Sequence, residues 1–453
     1  MNYIKNQNQL LSHGNRELRE QALEILNAGL RHADPGRATR DLVRYDRTTD
    51  TLSIGGVPRK PGEFANIYVI GAGKATFPIA RALDDILETR ITGGIVICKD
   101  GQEGALRNID LRLASHPIPN ESGMAAASDI LDLAKRTRPG DLVFACITGG
   151  SSALLPLPVP EITLEDKKKA NLILLTCGAN ILEINAVRKH LSLVKGGQLA
   201  GAISPGALLV NLTVSDVIGD PLDYITDPTV PDTSTFGDAR TTLDKYDLWG
   251  RMPEAIARYL RNPPLERETP KSLDDRRIEN HILVPGDAAC NGAAQRAREL
   301  GFDTVILSTM FEGESRELGR TFAFIAKEVR MNSRPISVPC AFVGGGETTV
   351  TVNGGAGEGG PNQEFALGAA LEIGSLENVL IAGLDTDGTD GPTLCAGGIA
   401  DEHSLQRAKE AGVDLYGALK RHDTTATLLR LEDAIITGNT GTNVNDLKIM
   451  LLR

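Results

Sequence analysis

The residues from Val379 to Leu384 are almost all apolar, and they stop abruptly at Asp385-Thr386-Asp387-Gly388-Thr389-Asp390-Gly391. An unbroken apolar run of this length reads as a strand buried on both faces, which requires packed layers on both sides of its sheet. The same punctuation recurs along the chain. Asn66 to Ile70 gives way to Gly71-Ala72-Gly73-Lys74, and Asp141 to Ile147 gives way to Thr148-Gly149-Gly150-Ser151-Ser152. Ala207 to Val214 runs into Ser215-Asp216-Val217-Ile218-Gly219-Asp220. Buried strands alternating with helical stretches define an α/β fold, and in such sheets ligands bind beyond the carboxyl ends of the strands.

Each loop has its own chemistry. Asp385, Asp387 and Asp390 suit a divalent cation or a general base, although Asp and Gly also build ordinary turns. Gly71 to Lys74 precedes a helix expected from about Ala75 to Glu88, where unpaired amides and the helix dipole favour a phosphate. A lysine at that end is unfavourable on dipole grounds, so Lys74 points to an anion nearby. The turn is not a Walker A loop, because Tyr68 and Ala75 stand where Gly and Ser/Thr are required. Nor is it a complete dinucleotide fingerprint, since Thr76 replaces the third glycine. Thr148 to Ser152 offers a second anion-binding loop; a nucleophile elbow would need glycine at Ala153. Arg188 and Lys195, seven residues apart beside the apolar stripe Ile184, Val187, Leu191 and Val194, are expected on nearly one helical face. There they could meet a carboxylate or phosphate, or form a solvated basic face. His116, between Ser115 and Pro117, could be catalytic, but a lone histidine beside prolines reads more readily as a structural hydrogen-bonder.

A chain of 453 residues exceeds what one core usually organises, so two domains are expected. Arg16 to Leu30 has helical apolar spacing and no evident chemistry. Thr163 and Asp166 form a capping box for a helix over Leu164 to Cys177. Arg261 to Asn280 is polar and proline-bearing, as a linker would be. His281 to Ser308 then reads strand, helix, strand, a βαβ unit opening the second domain. A helix over Gly313 to Met331 leads to strands at Cys340 to Val343 and Thr348 to Val352, flanking Gly344 to Glu347. The glycine-rich loop Gly354 to Asn362 feeds a helix over Gln363 to Ile373, and the polar loop Thr437 to Asp446 precedes a last strand. Domains over residues 1–260 and 275–453, with their loops facing a shared cleft, are the expected arrangement.

The net charge of −11 argues against nucleic acid or an anionic membrane as partner. No run approaches the length of a transmembrane helix, and MNYIKNQNQL lacks the apolar core of a signal peptide. Six cysteines without CxxC spacing are expected to be buried thiols in a reducing cytoplasm rather than zinc ligands.

In order along nearly the whole chain, VIGAGKAT, ITGGSSALLPLP, NAVRKHLSLVKGGQLA, TVSDVIGDP, GGGETTVTV, GGPNQEFAL, TDGTDGPT and GNTGTNVNDL resemble the class II glycerate 2-kinases. The resemblance implies an N-terminal Rossmann-like domain and a smaller C-terminal mixed α/β domain of the MOFRL type. It implies transfer of the ATP γ-phosphate to the 2-hydroxyl of D-glycerate with Mg²⁺. Lys74 and Asp387 map to catalytic positions, with Asp387 as base or metal ligand left open. Gly71, Gly73, Gly149, Gly150, Ser151, Ser152, Glu347 and Asn443 are the expected nucleotide- and phosphate-binding positions. Arg188 and Lys195 are expected to bind substrate, and Asp216, Asp220 and Asp390 to bind metal. The chain departs from the usual pattern at Pro361, where many relatives carry Arg, and at Asp227, where a serine is common. An NAD(P)H-dependent hydroxypyruvate reductase, a kinase for another small hydroxy acid and a non-catalytic sugar-acid sensor are the rival readings. A homodimer is among the assemblies left open.

Overall fold

A computed structural model describes residues 2–225, 227–352, 354 and 357–453. They form two compact units, one of Pro35–Val214 with Pro221–Leu283, the other of Met1–Asp34, Ser215–Asp220 and Val284–Arg453. Helix α1 (Arg16–His32) therefore packs with the carboxy-terminal half of the chain. It is capped by the Asn15 side chain, which accepts from the Leu18 amide. It buries Leu18, Leu23, Ile25, Leu26 and Leu30.

The first unit is built on a six-stranded sheet of β1 (Ile67–Ala72), β2 (Gly93–Lys99), β3 (Asp110–Ala114), β4 (Leu142–Ile147), β5 (Leu208–Val214) and β6 (Arg277–Val284). Its strand order is β3-β2-β1-β4-β5-β6. The pairs β3–β2, β2–β1, β1–β4 and β4–β5 are parallel. This is the doubly wound order in which the direction of winding reverses between β1 and β4. Every residue of β4 is buried, as its unbroken apolar sequence requires. Helix α2 (Thr76–Leu87) follows β1. Helices α3 (Leu164–Thr176) and α4 (Ile181–His190) share a separate apolar core with Phe236, Leu243, Ile256 and Leu260. The capping box of Thr163 and Asp166 forms as expected, and Asn180 with Glu183 makes another at α4. A small antiparallel sheet (Val43–Asp46, Thr51–Ile54, Val57–Arg59) belongs to the same unit.

The second unit contains α5 (Ala288–Glu299), β7 (Asp303–Phe311), α6 (Ser315–Asn332), β8 (Cys340–Gly346), α7 (Pro361–Ile373), β9 (Val379–Asp385), β10 (Gly397–Asp401), β11 (Ala434–Ile435) and β12 (Asp446–Leu452). The strand order is β7-β8-β12-β9-β10-β11. Only β7–β8 is parallel, so the sheet is mixed. Side chains alternate across a strand, and β12 shows what lies on each face. Met450 and Leu452 join the apolar cluster of Phe322 on α6 and Phe365 on α7. Leu447 faces Gly29 of α1 on the other side. Helices thus cover both faces.

Three local expectations change. His281 to Val284 is strand, but it closes the first sheet as part of β6, so it does not form a βαβ unit with β7. The sequence periodicity shows that a strand exists, not which sheet takes it. Thr348 to Val352 is not a strand beyond a single bridge of Thr349 to Glu314. The Thr348 amide and hydroxyl both donate to Asp446, which turns the chain away from the ladder. Helix α4 ends at His190, so Lys195 lies in the following loop and shares no helical face with Arg188. Part of the glycine-rich stretch Gly354 to Asn362, namely residues 355 and 356, lies outside the described residues.

Candidate active site

The reversal between β1 and β4 places two loops side by side at the carboxyl ends of those strands, the usual position of a ligand crevice in such sheets. Gly71 and Gly73 allow the close approach. A Cβ on Gly71 would collide with the Cys146 carbonyl of β4, and one on Gly73, at φ +147°, with the Thr148 hydroxyl. The first turn is not the cradle of free amides that its sequence suggests. The Gly73 amide donates to Ile97, that of Lys74 to the Gly149 carbonyl at 2.8 Å, and that of Ala75 to Thr148 Oγ1 at 3.1 Å. The Thr76 hydroxyl donates to the Cys146 carbonyl at 2.9 Å, which ties the start of α2 to β4.

The free donors lie in the second loop. Among the described residues, no acceptor meets the amides of Gly149, Gly150 or Ser152, or the hydroxyls of Ser151 and Ser152. Gly150 has φ +85°, and a Cβ there would stand 3.2 Å from Lys74 Cγ and 3.3 Å from His116 Nε2. Lys74 and His116 therefore flank this loop, whose oriented N–H groups are of the kind that bind anions. His116, read from the sequence as structural, sits at the site because distant segments fold together. Adjacency in sequence could not show this.

In the second unit, β9 releases Asp385, Asp387 and Asp390 as expected, but the three carboxylates do different things. Asp385 Oδ1 accepts from the Asp387 amide at 3.0 Å. Asp387 Oδ1 accepts from the amide and hydroxyl of Thr389, both at 2.7 Å, so the Asx-turn exists around a largely buried carboxylate. Asp390 accepts from the Asn362 amide, its side-chain Nδ2 and the Gln363 amide, and thereby caps α7. Burial pushes its carboxyl up to about 7 against the pull of the Asn362 amide. Three donors on this carboxylate compete with the metal role expected of it. Pro361 begins α7, where the missing N–H costs no helical bond. Asn443 Nδ2 donates to Asp216 Oδ2 at 2.8 Å, and Asp220 Oδ1 accepts from the Gly286 amide at 3.2 Å. Asp220 borders a cavity of about 110 Å³ with Gly286, Thr309 and Asn445. Among the described residues, no three His, Cys, Asp or Glu side chains converge as a metal-binding group, so Asp216, Asp220 and Asp390 do not form one centre. Glu347 follows β8, at the end where Gly346 adopts φ +122°.

The expected substrate residues Arg188 and Lys195 fall in a buried basic cluster of the first unit. Lys195 Nζ lies 3.0 Å from Asp227 Oδ2, and Lys189 Nζ lies 3.1 Å from Asp232 Oδ1. Asp227, the departure from the family pattern, is thus the counter-charge of Lys195. Arg188 Nε donates to Asn171 Oδ1 at 3.1 Å. The sequence reading missed Lys167, which is buried beside them. Its signal was present: it takes an inward position on α3 between Leu164 and Ala170.

A family described as a domain of unknown function, DUF4147, matches residues 21–261, and the MOFRL family matches residues 340–446. A glycerate 2-kinase of Pyrococcus horikoshii is 39% identical, with 96% of this chain and 98% of that one covered. A D-glycerate 2-kinase of Thermotoga maritima is 38% identical with the same coverage. A putative hydroxypyruvate reductase of Agrobacterium vitis is 37% identical over 88% of this chain and 90% of that one. The crystal structure of a glycerate kinase from Thermotoga maritima matches with a TM-score of 0.83 at 37% identity, over 96% of this chain and all of that one. With its two domains matched in order and its relatives aligned nearly end to end, the chain belongs to the class II glycerate kinase family.

Proposed function

We propose that this chain is a kinase that transfers the γ-phosphoryl group of ATP, with Mg²⁺, to the 2-hydroxyl of D-glycerate. The observation that carries this reading is the loop Gly149 to Ser152, where the amides of Gly149, Gly150 and Ser152 and the serine hydroxyls meet no acceptor among the described residues and stand beside Lys74 at the reversal point of the parallel sheet. Phosphoryl transfer asks for this kind of equipment: fixed donors and positive charge for the phosphoryl oxygens, rather than a covalent nucleophile. Relatives named glycerate 2-kinase supply the acceptor. In this reading Lys74 neutralises charge on the transferred group, and the loop amides hold phosphate oxygens. Asp387, oriented by Thr389, accepts the hydroxyl proton or holds the metal.

Mg²⁺ usually binds through one or two carboxylates and the substrate's own phosphates, so it needs no three-ligand cage among the described residues. Asp387 and Asp216 are the candidate ligands, and the ion would supply charge neutralisation between phosphate oxygens. A reductase is the weaker reading. Thr76 fills the position of the third fingerprint glycine, and its hydroxyl is locked onto β4. Six free thiols suit a reducing compartment such as the cytoplasm.

The test is a coupled assay of ADP release with D-glycerate present and absent, run beside NADH oxidation with hydroxypyruvate. Glycerate-dependent ADP release is expected. Lys74→Ala and Asp387→Asn should each lower kcat by about a hundredfold or more. Undiminished turnover in Asp387→Asn, or NADH oxidation without ADP release, would sink the assignment.

A further inference from the structure

Lys167 occupies a place where an apolar side chain is expected. Helix α3 buries Leu164, Lys167, Ala170 and Leu174, the spacing of one inward stripe. Lys167 is 3% exposed, and its Nζ has no hydrogen-bond partner among the described residues. A buried polar group is normally satisfied, so an orphaned ammonium marks a place where something else completes the structure.

Its neighbours sharpen the point. Arg188, on α4, donates through Nε to Asn171, one turn beyond Lys167 on α3. Burial alone holds the Arg188 guanidinium below its ordinary value, with no carboxylate acting to restore it. Lys195 and Lys189 share Asp227, and Lys189 also pairs with Asp232. Those two carboxylates are themselves already engaged, Asp227 by the Gly196 amide and Asp232 by Ser234 and Thr269. Asp223 also acts on Lys189, so four cations face three carboxylates, inside a protein whose net charge is −11. The imbalance has the sign and the donor types that an oxyanion would answer.

We propose that Lys167, Arg188 and Lys195 form the subsite that holds the carboxylate of the hydroxy-acid substrate. The proposal rests on the kinase reading for the identity of the acid, and on the geometry of the first unit for the site. It differs from a purely structural lysine in its pH behaviour. Burial, then the charges of Lys195 and Arg188, push the Lys167 ammonium down to about 7, and Asp227 alone opposes them. Lys189, Asp232 and Asp223 are the remaining charged members of the cluster. A bound carboxylate restores the charged form, so binding takes up a proton, and KM for the acid rises as pH climbs above about 7.

The experiment is steady-state kinetics and thermal denaturation of the full-length protein, Lys167→Met and Arg188→Gln, with D-glycerate and with inorganic phosphate as probes. Lys167→Met should raise KM for D-glycerate about ten- to hundredfold, as expected for losing a charged hydrogen bond, and leave KM for ATP within about twofold. It should also flatten the pH rise, and without ligand it should melt above the wild type. D-glycerate should raise the Tm of the wild type and not that of Lys167→Met. Should Lys167→Met fail to fold, Arg188→Gln, at a half-buried position, reads the same split between the two KM values. An unchanged KM for D-glycerate, an equal rise in both KM values, or stabilisation by phosphate but not D-glycerate would overturn the proposal. If the wild type releases no ADP with D-glycerate, the kinase reading fails by itself. A D-glycerate shift in Tm that depends on Lys167 would then still support the subsite, and no such shift would overturn it.

Discussion

Gly73 shows how one residue can decide whether the proposed site forms. Its φ of +147° lies outside what side chains readily adopt, and a Cβ would strike the Thr148 hydroxyl. That hydroxyl also receives the Ala75 amide, so moving it would unseat the start of α2. Gly73→Ala is expected to destabilise the fold by about 1–3 kcal/mol from the backbone alone, and by more once the collision is included. Gly140 is the matched control, with φ +87° and open space around it. Urea unfolding of Gly73→Ala and Gly140→Ala should give a clearly larger loss, with loss of turnover, for Gly73. Equal losses would show that the contact with Thr148 does not matter.

At the scale of elements, α1 is held to the mixed sheet by an ion network whose central residues, Arg19, Asp401 and Asp433, are buried. Arg19 Nε lies 2.5 Å from Asp401 Oδ2 and Nη2 lies 2.8 Å from Asp433 Oδ1. Arg407 and His13 also reach Asp433. Removing Arg19 would leave the buried Asp401 carboxylate without its cation, while Asp433 keeps Arg407 and His13, so Arg19→Met should cost about 3–5 kcal/mol. Burial would raise the Asp433 carboxyl, but the His13 hydrogen bond and the charges of Arg19 and Arg407 win and hold it below its ordinary range. A carboxyl lowered in the folded state stabilises above its unfolded pKa of about 3.9 and loses that contribution as pH falls through the folded value. Acid unfolding followed by circular dichroism should therefore show a smaller decline below about pH 4 in Arg19→Met, which has already lost one of these pairings, than in the wild type.

For the whole molecule, the amino-terminal helix is part of the carboxy-terminal unit's core. Leu18, Leu23, Ile25, Leu26 and Leu30 are all buried there. At about 1.5–3 kcal/mol for each buried side chain, the helix supplies roughly 7–15 kcal/mol, as much as the net stability of a typical domain. A chain lacking residues 2–34 is expected to be insoluble or to lack cooperative unfolding. A soluble truncated protein with a wild-type melting curve would contradict this placement.

Much of this protein was legible before any coordinates. The apolar runs that become β4 and β9, the capping box of Thr163 and Asp166, and the glycine and hydroxyl loop after β4 are all encoded within short windows. Strand burial, helix starts and turns depend on neighbours a few residues away, so the sequence by itself determined them, and with them the α/β class. Tertiary structure decided the rest. It gave β6 to the first sheet and α1 to the second unit, since several apolar faces could satisfy each element equally well. It also decided which amides near Lys74 are occupied and which remain free, made Asp390 a cap for α7, and buried Lys167 among cations. Each of these outcomes turns on partners drawn from far along the chain, whose approach is set by how the layers pack.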